Sequence, residues 1–176
     1  MALTKVNRGG LNTGVSDSSN ATAITISSGE VLTLAQALPT SNLGSGAVIQ
    51  TVINTATTTV NSTSTSPSDL ITASITPQFT DSIIHIEGFV SRMQIVVNSN
   101  AFASLYITDP DGNNLTIAVL GSAISNSSPM SAFATHSPSS TSSQTYKIRL
   151  SKASSATQST GTDSQRYSIK LTEIRG

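Results

Sequence analysis

Apolar and polar residues alternate in short runs along much of the chain. The clearest runs are Ile83–Val90, Tyr146–Lys152 and Arg166–Ile174, in which nearly every second residue is apolar or aromatic. A period of two is typical of a β-strand that turns one face towards a core. Branched Ile, Val and Thr side chains recur throughout and favour the extended backbone. The pattern therefore predicts an almost entirely β protein.

Further strands are predicted between these runs, each bounded by turn-forming residues. They are Val48–Val60, Leu70–Ile75, Phe102–Thr108, Leu115–Leu120 and a short strand near Met130–Thr135. With the three clearest runs this makes about eight strands, and such spacing favours a sandwich, a barrel or a jelly roll. Within the predicted strand Leu115–Leu120, alternation places Leu115, Ile117 and Val119 on one face.

Residues 1–46 form a separate first segment. Ala23–Ile26 and Val31–Leu34 read as two short strands around a turn, although Thr33–Leu38 could instead form one helical turn. Two short strands are not stable alone in water, so this segment is expected to dock on the main domain, on sister copies or on another protein. Pro39–Gly46 has the composition of a linker. The main domain is predicted to span residues 47–176.

The composition excludes several classes of protein. Charged residues make up 10% of the chain, against about 25% in a typical globular domain. Nine basic and nine acidic residues balance, so no basic stripe for nucleic acid is expected. With no cysteine, disulfides and thiolate chemistry are excluded. The N-terminus carries no evident signal peptide and no apolar run is long enough for a membrane helix, which predicts a soluble protein made in the cytoplasm.

Serine and threonine occupy about a third of the chain in place of the charged residues. Hydroxyl-rich strands of low charge suit outer faces that are wetted by water. They also suit polar faces that are buried between identical subunits.

No constellation of residues indicates catalysis or a cofactor. His85 and His136 are far apart in sequence, so a solvated strand face explains His85 better than a metal site, with a position on a trimer axis as a third alternative. The stretch Asp109–Asn113 lacks the spacing and distal Glu of a calcium loop, and it predicts a hairpin turn with Pro110 and Gly112 setting the backbone. The acids are scattered, which disfavours a glycosidase. We expect no enzyme activity, no metal and no cofactor.

Tyr106 is the candidate contact to a receptor sugar, because sugar binding uses exposed aromatic rings. Tyr106 and Phe102 share one strand face, opposite Leu105 and Ile107. If Tyr106 faces outward it offers the best anchor for a partner. The alternative, favoured on the sequence, is that the ring packs in the core or at a subunit interface.

Two stretches resemble known modules of virion proteins from tailed phages. The first resembles an N-terminal motif repeated on many such proteins, especially of marine phages, and its residues are Ala2–Val6, Gly9–Leu11, Thr13, Gly14, Asp17 and Ser19–Ile26. The second, residues 45–90, resembles the start of a jelly-roll-like module of tail fibres and other appendages. It contains the strings STST, ITASITP and DSIIHIEG.

The resemblance implies an antiparallel jelly-roll-like β-sandwich preceded by a short attachment segment. It implies a non-enzymatic, homotrimeric virion protein, first a tail fibre or appendage, bound to other virion proteins. A capsid decoration protein or head fibre is one alternative, and a host-glycan receptor-binding module is another. The attachment residues it implies are Leu3, Lys5, Val6, Gly9, Gly10, Leu11, Ile24 and Ile26.

Overall fold

The computed structural model describes residues 24–26, 32–34, 43–58, 60–62, 64–95, 101–122, 126–152, 160–161 and 166–176. The chain divides into two compact units, Met1–Asn42 and Leu43–Gly176. The described part contains strands, turns and no helix. It therefore offers no helix long and apolar enough to cross a membrane.

The strands are numbered in chain order. They are β1 Ile24–Ile26, β2 Leu32–Leu34, β3 Val48–Ala56, β4 Asn61–Ser62, β5 Ser68–Ile75, β6 Ile83–Ile95, β7 Ala101–Thr108, β8 Asn114–Ser122, β9 Asn126–His136, β10 Gln144–Lys152, β11 Thr160–Gly161 and β12 Tyr167–Ile174. In the first unit, β1 and β2 form an antiparallel hairpin, with Ile24 opposite Leu34. This agrees with the predicted pair of strands and places Thr33 in a strand.

The second unit is a jelly roll, which follows from how its eight long strands pair. The first pairs with the last (β3 with β12), the second with the seventh (β5 with β10), the third with the sixth (β6 with β9) and the fourth with the fifth (β7 with β8). All four pairings are antiparallel. Nested pairing of this kind results when one long hairpin is rolled into two sheets. The predicted antiparallel jelly-roll-like β-sandwich is thus confirmed.

Two sheets make up the sandwich. One has the order β5–β10–β7–β8, and the other has β3–β12–β6, with β9 on the far side of β6. The short β11 pairs with β6 beyond the end of β12, and β4 pairs with β11. We refer to the first as the four-stranded sheet and to the second as the β6 sheet.

The core lies between the sheets and is built from the alternating residues of every long strand. Ile84, Ile86 and Val90 of β6 and Tyr167, Ile169 and Leu171 of β12 are all buried. Tyr146, Ile148 and Leu150 of β10 face them from the four-stranded sheet and are fully buried. Burying a Leu, Ile or Val side chain contributes about 1.5–3 kcal/mol, so this alternation is the main source of stability.

Side-chain amides close one edge of the sandwich, where β3 and β5 lie next to each other. Asn54 Nδ2 of β3 donates to Thr72 O (2.7 Å), and Gln50 Nε2 donates to Thr76 O (2.7 Å). An outer strand has backbone groups that no neighbouring strand pairs, and such groups need partners when they are covered. Asn54 supplies such a partner to β5, and Gln50 supplies one to Thr76, the residue that follows β5.

A bulge corrects the prediction for β8. Thr108 pairs with Asn114 but Ile107 pairs with Thr116, so Leu115 is an extra residue. An extra residue reverses the alternation of faces. Leu115 consequently packs against the core, whereas Ile117 and Val119 are exposed. The three residues therefore do not share a face, and β9 extends well beyond the predicted short strand.

Candidate interaction surfaces

The outer face of the four-stranded sheet carries a compact ion cluster. Asp69 Oδ2 accepts from Lys147 Nζ (2.6 Å), and Asp69 Oδ1 accepts from Arg149 Nε (2.8 Å). The hydrogen bond from Lys147, together with the charge of both cations, lowers the pKa of Asp69 despite its partial burial. Arg149 also donates to the carbonyl of Pro67 (2.8 Å). This cluster fixes the positions of two long side chains on β10.

Tyr106 lies beside this cluster, on the outer face of β7 opposite Arg149 of β10. The side chain is half-buried, while Leu105 and Ile107 on either side point into the core. The hydroxyl of Ser151 donates to the Tyr106 hydroxyl (3.1 Å). The ring thus faces outward, which is the condition for a partner contact, although its role in receptor binding stays a prediction.

An apolar strip continues from Tyr106 towards the edge of the same sheet. Phe102, Ile117 and Val119 are each about half-exposed, at 47%, 51% and 57%. Phe102 pairs with Gly121, and its ring covers that glycine so closely that a Cβ there would lie 2.9 Å from Cε1. The strip therefore combines three exposed apolar side chains on two adjacent strands.

The outer face of the β6 sheet carries a second set of exposed apolar side chains. Phe133 on β9 is 66% exposed, Ile53 on β3 is 61% exposed and Phe89 on β6 is 42% exposed. Lys170 Nζ and Glu87 Oε1 form an ion pair (3.0 Å) between them. A shallow groove of about 320 Å³ lies beside Phe133. The ion pair separates Ile53 from Phe133, whereas Phe89 and Phe133 lie on adjacent strands, and neighbouring exposed apolar side chains are typical of interaction surfaces.

Glu173 is a buried acid that the sequence analysis did not single out. Its side chain is fully buried and accepts three hydrogen bonds: from Gln78 N (2.7 Å), Ser82 Oγ (2.5 Å) and Gln50 Nε2 (2.6 Å). A signal was present, because the alternation of Tyr167, Ile169 and Leu171 continues to position 173. The carboxylate joins β12, β3 and the β5–β6 turn at one end of the sandwich.

The predicted hairpin turn at Asp109–Asn113 is present. Asp109 Oδ1 accepts from Asn113 N (2.7 Å), Oδ2 accepts from Asn113 Nδ2 (2.9 Å), and Gly112 has a φ of 88°. Burial would raise the pKa of Asp109, but the hydrogen bonds from Asn113 outweigh it and lower the pKa. Both carboxylate oxygens are thus engaged within the turn.

The two histidines lie on adjacent strands but point to opposite faces of the sheet. His85 faces outward opposite Thr135, whereas His136 follows the inward row opposite Ile84. His136 Nδ1 lies 2.9 Å from the Tyr146 hydroxyl, and burial raises the pKa of that tyrosine. Among the described residues no group of three metal-ligating side chains occurs.

The predicted attachment residues are not brought into a site by the described structure. Ile24 and Ile26 belong to β1, opposite Leu34 and Leu32. Leu3, Lys5, Val6, Gly9, Gly10 and Leu11 lie outside the described residues. Their role stays a prediction.

The class of molecule defined by this geometry is an all-β jelly-roll domain with exposed apolar side chains on both outer faces. No protein-family model and no curated protein sequence matches the chain. Several solved structures do match, and three of them are of infectious bursal disease virus.

The VP2 subviral particle of that virus matches with a TM-score of 0.40 and 14% identity, over 73% of this chain and 34% of that chain. The Gx strain structure matches with a TM-score of 0.39 and 14% identity, over 81% of this chain and 38% of that chain. The Gt strain structure matches with a TM-score of 0.36 and 15% identity, over 99% of this chain and 50% of that chain. This chain thus spans between about a third and a half of those chains. The jelly-roll assignment itself rests on the strand pairing described above.

Proposed function

We propose that this protein is a non-enzymatic structural component of a tailed-phage virion, in which several copies pack together. The observation that carries the proposal is the exposure of large apolar side chains on both outer faces of a hydroxyl-rich sandwich. An isolated monomer gains nothing from exposing Phe133, Ile53 and Val119 to water. Their exposure suits a protein that works in an assembly. The resemblance of the N-terminal motif to those of tailed-phage virion proteins supports a phage particle as that assembly.

The two parts of the chain have different roles in this proposal. Residues 1–46 attach the protein to the particle, and residues 47–176 are displayed outward as a homotrimer. A tail fibre or similar appendage is the first choice, and a capsid decoration protein or head fibre is the alternative. Copy number separates the two, because an appendage is present in a few trimers per particle and a decoration protein in hundreds.

The roles of the acids support a non-enzymatic function. Asp69, Asp81 and Glu87 are held in ion pairs with basic residues. Asp109 closes a turn, and Glu173 is buried among three donors. Each of these five carboxylates thus has a structural partner, whereas acid–base catalysis needs acids that converge on open space.

The experiment is a deletion of residues 1–34, tested for incorporation into particles. We expect the truncated protein to keep its β-sheet circular dichroism signal and its thermal unfolding transition, but to be missing from purified virions by mass spectrometry. The full-length protein expressed in the same way is the control. Incorporation of the truncated protein at the level of the control would refute the attachment role.

A second candidate function is host-glycan recognition, and the observation that favours it is the outward position of Tyr106 beside Arg149 and Asp69. An aromatic ring next to charged hydrogen-bonding groups is a suitable contact for a sugar. Tyr106→Ala should then abolish binding to a host-polysaccharide array, while Ile53→Ala on the other sheet should not. A wild-type protein that binds no glycan on the array would reject this candidate.

A further inference from the structure

Two of the exposed apolar surfaces meet at one edge of the sandwich. β8 is the outer strand of the four-stranded sheet, β9 is the outer strand on the far side of β6, and the two strands contact each other. β8 carries Ile117 and Val119 on its outer face, and β9 carries Phe133 on its own. We call this the β8–β9 edge. Its two outer faces belong to different sheets of the sandwich, and each carries exposed apolar side chains.

The two strands of the β8–β9 edge carry no charged side chains. Residues 112–146, which include both strands, contain no Asp, Glu, Lys or Arg. Outer strands of soluble monomers are usually protected by charged residues, which discourage contact with another chain. Identical copies carry identical charges, so a contact between copies is most favourable where charge is absent. The neutrality of this edge therefore fits a second copy of the chain better than a charged partner.

The two apolar surfaces differ in shape, which determines the kind of contact. Phe133 stands beside a shallow groove that His85 and Glu87 of β6 also line, and the carboxylate of Glu87 is paired with Lys170. Ile117 and Val119 form a row of branched side chains two residues apart on β8. A contact between unlike surfaces is head-to-tail, and it closes into a ring when the rotation between copies allows.

We infer that the β8–β9 edge is the contact between copies: Ile117 and Val119 of one copy pack against Phe133 and its groove on the next. Each copy then takes part in two contacts, once with each face of the edge. This inference rests on the proposed function for the expectation of several copies. It adds the surfaces involved and the head-to-tail arrangement.

The opposite edge of the sandwich provides the comparison. Ile53 on β3 is as exposed as Phe133, and residues 31–68 likewise lack charged side chains. However, the neighbouring β5 carries Thr72 and Ser74 on its outer face rather than apolar residues. That edge offers only one apolar surface and cannot supply both halves of a head-to-tail contact. Ile53 is therefore a matched control position.

The first test measures the mass of the purified full-length chain by light scattering. Wild type and Ile53→Lys should have the mass of a multimer, whereas Val119→Lys and Phe133→Lys should have the mass of one chain. All four should keep the same circular dichroism spectrum, because the substituted side chains are exposed. A wild-type monomer, or dissociation caused by Ile53→Lys alone, would overturn the inference.

The second test uses the absence of native cysteine. Phe133→Cys and Val119→Cys proteins are oxidised separately and after mixing under conditions that let subunits exchange. We expect linked dimers only in the mixture, and none when Ile53→Cys replaces Val119→Cys. Linkage of Phe133→Cys with itself would indicate a symmetric contact and overturn the head-to-tail arrangement.

The outcomes separate the inference from the proposed function. A multimer that shows no linkage and resists both lysine substitutions would refute the β8–β9 edge while leaving virion assembly intact. A multimer that forms through the contact described but never incorporates into particles would refute the virion role while leaving the contact intact.

Discussion

Gly88 of β6 and Ile148 of β10 face each other across the sandwich. A Cβ on Gly88 would lie 2.6 Å from Ile148 Cδ1 and 3.3 Å from its Cγ1. Ile148 is fully buried, so its side chain has little room to move away. The spacing between the sheets at this point thus depends on the absence of a side chain at position 88.

Gly88→Ala should therefore destabilise the sandwich. Overpacking a close-packed core costs about 1–3 kcal/mol, which urea unfolding would detect as a lower midpoint. Ile148→Val removes Cδ1, the atom that an alanine at position 88 would meet. The double variant Gly88→Ala/Ile148→Val should be more stable than Gly88→Ala alone, although Ile148→Val by itself is destabilising. Additive effects of the two substitutions would show that the contact is not the cause.

Glu173 should be essential to the stability of the end of the sandwich at which it is buried. Glu173→Gln replaces one acceptor oxygen by an NH₂ group, which then faces donors from Gln50, Gln78 or Ser82. An unsatisfied buried donor costs about 1–3 kcal/mol, so the melting temperature should fall clearly. Glu87→Gln, which alters a partly exposed acid on the next strand, is the matched control and should change stability by less than about 1 kcal/mol. Equal effects of the two substitutions would contradict this account.

The alternation of residues was sufficient to predict most strands but not their partners. Tyr146, Ile148 and Leu150 point inward as predicted, because a period of two determines the faces of a regular strand. The nested pairing of β3 with β12 joins residues more than a hundred positions apart, and alternation carries no information about the neighbouring strand. Alternation also misplaced Leu115, because one extra residue at a bulge reverses the faces that follow.

The interaction surfaces were harder to predict than the fold. Ile117 and Val119 look like core residues in the sequence, since both are branched and apolar. Only the pairing of Ile117 with Tyr106 shows that they lie on the outer face. Ser151 lies on the outer face of β10, yet it is buried, and its hydroxyl donates to the Tyr106 hydroxyl. Such coverage depends on neighbours that are distant in sequence.

Gly112 should be required for the β7–β8 hairpin. Its φ of 88° lies in the left-handed region, where an L-residue with a Cβ is strained by about 1–2 kcal/mol. Gly112→Ala should lower the free energy of unfolding by about that amount. Gly112→Asn should cost less, because asparagine tolerates this region better than alanine. No neighbouring atom lies within 4 Å of the added Cβ, so a crowding effect is not expected. A Gly112→Asn variant less stable than Gly112→Ala would contradict the backbone explanation.

The ion cluster around Asp69 should make stability depend on pH in the acid range. The hydrogen bond from Lys147, with the charges of Lys147 and Arg149, lowers the pKa of Asp69 in the folded protein below its ordinary value of 3.8. A lowered pKa means that the stabilisation is complete above pH 3.8 and is lost as the pH falls through the folded value. Because the Asp69 side chain is 42% exposed, screening by solvent limits the effect to about 1 kcal/mol or less.

The measurement compares wild type with Asp69→Asn by urea unfolding at neutral pH and at several pH values below 3.8. Asp69→Asn should be less stable at neutral pH, and the difference should shrink as the pH falls, because protonation removes the same charge from the wild type. In a background that carries Lys147→Gln and Arg149→Gln, the pH dependence of the difference should disappear, since the cations that lower the pKa are gone. A difference that stays constant down to the lowest pH would mean that Asp69 stabilises the strand pair through its shape and hydrogen bonds, and not through its charge.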